Sequence, residues 1–269
     1  MLAVMAMVVP PAAFAQEEKK DESFIKVPVG LLYASAYWWR GIEFNGKGNG
    51  VLWPSVGVLL GDTGLSLNFA AGINMEDAQA EGKSARHPAK ATHEFDYGAA
   101  YSRDLGELVT AGAGIMFIHY PYYDNVYTND TSFLEGSVFV MIKTILSPRL
   151  DVYYDYYIEE NADAGKDTPQ AEDVYVKLSC AQDIIKDDGF AFSTGLWIGY
   201  YNNAYLDLSG FSDLGIKLGT SKDYRGIVFS AGVYYARTLA KDFYDYYAAS
   251  GGVRQKNHFW ADFGATCTF

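Results

Sequence analysis

The segment Leu150-Asp151-Val152-Tyr153-Tyr154-Asp155-Tyr156-Tyr157-Ile158-Glu159 alternates without a break. In an extended chain successive side chains point to opposite faces. Leu150, Val152, Tyr154, Tyr156 and Ile158 therefore share one face, and Asp151, Tyr153, Asp155, Tyr157 and Glu159 share the other. A strand that is apolar on one side and carboxylate-bearing on the other fits two architectures. In a soluble sandwich the apolar side would be inward; in a membrane barrel it faces lipid and the charges face a polar lumen. This segment does not choose between them, so the choice falls to its surroundings.

The same period-two pattern recurs over Leu65–Gly72, Glu94–Tyr101, Val109–Met116, Asp173–Cys180, Phe192–Gly199 and Asp213–Gly219, and helical periodicity is nearly absent. On most of these segments the polar face is rich in Gly, Ser and Ala, which leaves space inside a closed sheet. The connections alternate in length. Short turns fall at Gly61-Asp62-Thr63-Gly64, Asp104-Leu105-Gly106-Glu107, Ser147-Pro148, Lys186-Asp187-Asp188-Gly189 and Ser221 to Gly226, all with turn chemistry. Longer polar links fall near Gly41–Gly50, Met75–Thr92, Pro121–Asp130, Glu160–Ala171, Asn202–Gly210 and Leu239–Lys256. An even count of about twelve strands with short and long links in strict alternation is the outer-membrane pattern. The expected fold class is all-β: a transmembrane antiparallel up-and-down barrel with short periplasmic turns and long extracellular loops. That topology puts both termini in the periplasm and the protein in a bacterial outer membrane.

Composition agrees. The 269 residues are 49% hydrophobic and 16% aromatic, with 22 Tyr and 16 Phe. Tyr and Trp favour sites with one dry and one wet end, of which the membrane interface is the commonest. Trp38-Trp39, Tyr120 to Tyr123, Tyr200-Tyr201 and Tyr234-Tyr235 fit such a girdle, while Phe243, Tyr244, Tyr246 and Tyr247 fall in a long loop and suit either the girdle or contact with a ligand or surface partner. A formal net charge of −12 argues against nucleic-acid partners. Residues 1–15 read as a signal peptide: Met1–Phe14 is apolar and uncharged, and Ala13-Phe14-Ala15 offers an A-x-A-like cleavage site, although the usual basic flank is absent. Residues 16–26 then form a periplasmic segment and 27–269 the barrel. The only two cysteines, Cys180 and Cys267, fall on strands that are not neighbours, which favours free thiols over a disulfide. No Cys/His cluster indicates a metal, and no cofactor is expected.

The last strand places Phe259, Ala261, Phe263, Ala265, Cys267 and Phe269 on one face. A C-terminal strand ending in Phe resembles the signal by which bacterial outer-membrane barrels are assembled, so Phe269 is the expected contact with the barrel-assembly machinery; outer-membrane lipid is the other expected partner. Ser35-Ala36-Tyr37-Trp38-Trp39-Arg40-Gly41, read as S-x-Y-x-W-R-G at the end of the first strand and followed by Trp53-Pro54-Ser55, resembles a family of uncharacterised porin-like outer-membrane proteins. The resemblance implies location and fold and brings no catalytic residues. The strand number is also similar to that of nucleoside and acidic-oligosaccharide channels.

Alternation assigns the interior candidates. The inward acids are Glu94, Asp96, Glu135, Asp151, Asp155, Glu159, Asp213 and Asp262, and the inward bases Lys143, Lys177 and Lys217. Such charges either pair across strands or line a wet pore. Trp53, Trp197 and Trp260 are the inward indoles, serving as packing or as a stacking track for solutes. Taking β pairing as symmetric about the link 160–171 puts Asp155 opposite Lys177, and a register slid by barrel shear would put Asp151, Tyr153 or Tyr157 there instead. Among His87, His93, His119 and His258 none has a serine nearby in a recognisable pattern, so a lipid-active hydrolase is the weakest of three readings. The others are a channel for small polar solutes and a non-conducting structural or surface-interaction barrel.

Overall fold

A computed structural model describes residues 24–43, 50–75, 92–119, 132–157, 172–203, 208–243 and 256–269. The strands are β1 (Ile25–Lys26), β2 (Pro28–Ala34), β3 (Trp38–Trp39), β4 (Ile42–Glu43), β5 (Val51–Leu60), β6 (Leu65–Asn74), β7 (Thr92–Leu105), β8 (Val109–His119), β9 (Phe133–Ile142), β10 (Arg149–Tyr157), β11 (Glu172–Asp187), β12 (Phe190–Asn203), β13 (Leu208–Tyr224), β14 (Ile227–Thr238) and β15 (Asn257–Thr268). All but β3 and β4 belong to one antiparallel sheet in which sequence neighbours pair. The sheet closes because β2 pairs with β5 on one side and β15 on the other. β1 and β2 are two pieces of one stave interrupted at Val27, whose N–H donates to the Phe269 carbonyl at 2.8 Å while the Phe269 N–H donates back at 3.1 Å. Counted as one, they complete a barrel of twelve strands.

Which face is inward decides between lipid and water. Leu178, Leu196, Val138 and Phe263 are each half or more exposed, whereas Glu135, Asp151 and Asp155 are at most 2% exposed. A soluble sheet protein has the reverse arrangement, and an exposed apolar belt of this extent would aggregate in water. Lipid removes the penalty outside, and barrel closure leaves no strand edge unpaired. Apart from the split first stave, the strands of the barrel sheet run from 9 to 17 residues, against about 9–11 needed to cross a bilayer at a tilt.

The short turns and both described chain ends lie at one end of the barrel, since Ile25 pairs with Leu60 beside the turn Gly61–Thr63. Asp188-Gly189 and Arg225-Gly226, all at positive φ, close two hairpins in the tight geometry that matches strand twist. The turn read as Ser221 to Gly226 is thus only two residues long, because the ladder runs down to Tyr224 opposite Ile227. At the other end the long link expected over Asn202–Gly210 is also shorter. Asn203 pairs with Leu208, leaving 204–207, because the ladder uses backbone groups and tolerates Asn side chains.

The register of β10 and β11 corrects the expected ion pair. Asp155 stands opposite Asp173, and Lys177 stands opposite Asp151. A long link imposes no turn geometry on the strands it joins, so packing sets the register; Tyr153 faces Tyr175 with ring centroids 5.9 Å apart.

Candidate functional site

The chain does not end its first strand with the S-x-Y-x-W-R-G segment, as its alternation suggests. β2 stops at Ala34, and residues 35–43 turn into the lumen. Ser35 makes the corner: its N–H donates to the Ala261 carbonyl at 2.8 Å, and its Oγ accepts from the Ala261 N–H at 2.9 Å. β3 and β4 then form a small hairpin in which Trp39 pairs with Ile42 across Arg40 (φ 48°) and Gly41 (φ 90°). Glycine adopts this second angle without a steric penalty. A Cβ at Gly41 would also approach Ser212 to 3.1 Å, while the Gly41 carbonyl accepts from Thr238 Oγ1 at 3.0 Å. The tip of the hairpin is therefore held against β13 and β14.

From that anchor the segment reaches the other walls. Tyr37 donates its hydroxyl to Glu94 Oε2 on β7 at 2.6 Å. Trp39 packs on Phe133 of β9 and edge-on to Tyr201 of β12, with centroids 6.3 and 5.9 Å away. Trp38 and Trp39 are 4% and 9% exposed inside the barrel and not at an interface girdle. Phe243 likewise stacks on Tyr201 in the interior; Tyr120 to Tyr123, Tyr244, Tyr246 and Tyr247 lie outside the described residues.

Arg40 explains why the hairpin is inside. Glu135, Asp155 and Asp173 sit directly opposite one another across β9, β10 and β11. Like charges in cross-strand positions repel, and here all three are at most 1% exposed. The Arg40 guanidinium donates Nη1 to Asp155 and Nη2 to Glu135, with a further contact from Nη2 to Asp155 Oδ1 at 3.3 Å. Its plane is walled by the rings of Trp39, Tyr153, Tyr175 and Tyr201, with centroids 4.4 to 5.5 Å from Cζ. Only Arg combines a planar donor fork with a cation that stacks on aromatic faces. Asp173 receives a hydrogen bond from Tyr201 at 3.1 Å. Asp213 is met by Ser212, Trp197 and Tyr175 at 2.6, 2.6 and 3.2 Å. Glu94 and Asp96 are wholly buried on β7.

On the short-turn side of this belt the character changes. Asp151 is bracketed by Arg149 at 2.7 Å and Lys177 at 3.9 Å. Beyond them opens a cavity of about 240 Å³, lined by Lys177, Lys217 and Asp262 and by the rings of Trp38, Trp53, Trp197, Tyr234 and Trp260 among others. Trp260 lies parallel to Tyr234 (4.8 Å, 5°) and stacks on Trp38 (5.4 Å, 22°). Asp262 accepts from the Tyr234 hydroxyl. Lys143 is not part of this interior: β9 ends at Ile142, and Lys143 sits at the rim paired with Asp104 at 2.6 Å. Glu159 lies outside the described residues.

One serine does lie near a histidine, against expectation. His119 Nδ1 is 3.0 Å from Ser132 Oγ, two residues brought together by the β8–β9 pairing rather than by sequence spacing. Ser132 is 3% exposed. His258 packs on Trp38 at 4.2 Å and faces Thr238. His87 lies outside the described residues, as does the side chain of His93. Cys180 and Cys267 are free thiols.

The role of Arg40 was the residue assignment that alternation could not supply. Its signal was arithmetic: inward acids outnumber inward bases on the strands, so a buried acidic row needs a cation from elsewhere. The Arg-Gly step amid tryptophans was the place to seek it.

No protein-family profile and no curated protein sequence matches the chain. Its fold is shared with solved outer-membrane barrels. The NanC porin superposes with a TM-score of 0.53 at 12% identity, over 90% of this chain and 98% of that one. An outer-membrane channel from Pseudomonas putida F1 gives 0.52 at 13% identity, over 94% and 100%. The translocator domain of the autotransporter NalP from Neisseria meningitidis gives 0.50 at 11%, over 92% and 89%. The chain is thus an outer-membrane-type β-barrel with porin-like architecture.

Proposed function

We propose that this barrel is a channel for small polar solutes in a bacterial outer membrane, with the hairpin of residues 35–43 set across its lumen as a constriction. The observation that carries the reading is the interior itself: charged and aromatic side chains surround a cavity of about 240 Å³ beneath Arg40, and apolar side chains face outward. In this reading residues 1–15 are removed on export, the short turns and both termini are periplasmic, Phe269 is read by the assembly machinery, and the barrel holds no catalytic group. The acidic belt favours cations over anions at the constriction. A closed structural barrel is the second reading, favoured by the packing of Trp39, Arg40, Tyr201 and Phe243 across the lumen.

Planar-bilayer recording separates the two. The channel reading expects small cation-preferring conductance in the unaltered protein and a several-fold larger one when residues 36–43 are replaced by a short Gly-Ser link. Silence from both proteins, each verified as a heat-modifiable barrel, would establish the closed barrel. Release of fatty acid from outer-membrane lipid by the purified protein would instead point to a hydrolase.

A further inference from the structure

The cavity beneath Arg40 is unlike the rest of this acidic protein. Its ionic groups are Lys177, Lys217 and Asp262, a local excess of cation. Asp262 is already engaged by the Tyr234 hydroxyl. Lys177 leans on Asp151 at 3.9 Å, beyond hydrogen-bond length. Lys217 has no ion pair among the described residues; its Nζ lies 5.0 Å from the centre of the Tyr234 ring. The indole N–H of Trp38, another lining residue and 4% exposed, finds no hydrogen-bond acceptor among the described residues. Two ammonium groups and a buried N–H thus border one space whose lining carries a single carboxylate, Asp262, while Asp151 Oδ2 stands 3.9 Å from Lys177 without a hydrogen bond, and an unpaired buried donor is costly. Together they call for an anion.

The walls say what kind. Trp38, Trp260 and Tyr234 form a continuous stack, and Trp197 meets Trp260 at 66°. Such surfaces take a flat ring. A sugar ring would need hydrogen-bond partners for each hydroxyl, but the polar atoms of the wall are mostly committed: Tyr37 to Glu94, Tyr234 to Asp262 and Trp197 to Asp213. An aromatic ring makes no such demand. A cavity of about 150 Å³ holds benzene, so about 240 Å³ admits one ring with its charged substituent.

We propose that this cavity is a binding site for a single-ring aromatic carboxylate, the carboxylate between Lys177 and Lys217 and the ring against the Trp38–Trp260–Tyr234 stack. The proposal rests on the cavity and not on conduction: a silent barrel can bind, and a conducting barrel that does not bind remains a channel.

The test is a titration of the full-length folded barrel in detergent, followed by tryptophan fluorescence and by calorimetry, with benzoate, benzyl alcohol and gluconate. Benzoate should bind saturably, and the neutral ring and the sugar acid at least tenfold more weakly. Lys177→Met and Lys217→Met should each weaken benzoate at least tenfold, and Trp38→Phe several-fold. Absence of saturable benzoate binding, or equal affinity for benzoate and gluconate, overturns the proposal; because both are read on the unaltered protein, they stand even if a variant fails to assemble. Folded lysine variants that bind benzoate as well as the original also overturn it.

Discussion

Arg40 makes its two ion pairs with residues 95 and 115 positions away, Glu135 and Asp155. Removing one partner of a buried ion pair leaves the other charge uncompensated, at a cost of about 3–5 kcal/mol. Arg40→Met should therefore lower barrel stability by about that much, read from urea unfolding in a fixed lipid. Arg40→Lys should recover only part of the loss, since an ammonium cannot fork to two carboxylates. Adding Glu135→Gln and Asp155→Asn to Arg40→Met should recover much of it by removing the repelling charges. An Arg40→Met barrel as stable as the original would mean that the acidic row is neutralised some other way. Gly41→Val combines a φ of 90° with a Cβ 3.1 Å from Ser212, and should unseat the hairpin while leaving the barrel closed. Its signature would be the larger conductance expected of the hairpin replacement.

Register is the property of the strands. Asp151 faces Lys177, whereas Asp155 is displaced from Lys177 by four positions, or about 13 Å along the strand. A disulfide requires Cα atoms roughly 4.4–6.8 Å apart. In a background lacking Cys180 and Cys267, Asp151→Cys with Lys177→Cys should oxidise to a cross-link, and Asp155→Cys with Lys177→Cys should not. The opposite result would restore the symmetric pairing inferred from the link alone. The closing stave makes its own prediction. Phe269 is 73% exposed on the outer face, yet its backbone pairs with Val27. Phe269→Asp should reduce outer-membrane insertion without affecting export, measured as loss of the heat-modifiable form. An unchanged level would leave Phe269 with only its ladder role.

At the scale of the molecule, the barrel presents an apolar belt outward and keeps its charges within, and all short turns share one end. If that end is periplasmic, tags inserted near Gly82, Gly165 or Gly251 should be labelled on intact cells, and tags near Gly106 or Asp188 should not. Labelling at the turns would invert the orientation.

The barrel was legible in the sequence because its signals are local. Alternation follows from the two-residue period of a strand, and turn chemistry from a few adjacent residues, so Leu150–Tyr157 and Asp188-Gly189 announce themselves wherever the rest of the chain lies. The direction in which Asp151, Asp155 and Lys177 point is local in the same sense. What each of them meets is not. The pairing of Asp151 with Lys177, the approach of Ser132 to His119 and the insertion of Tyr37, Trp39 and Arg40 into the lumen depend on closure of the sheet and on packing between distant strands. The S-x-Y-x-W-R-G segment carries the residue types of a strand end; only a closed barrel with a buried row of carboxylates turns it inward, because buried like charges are costly until a cation is set among them.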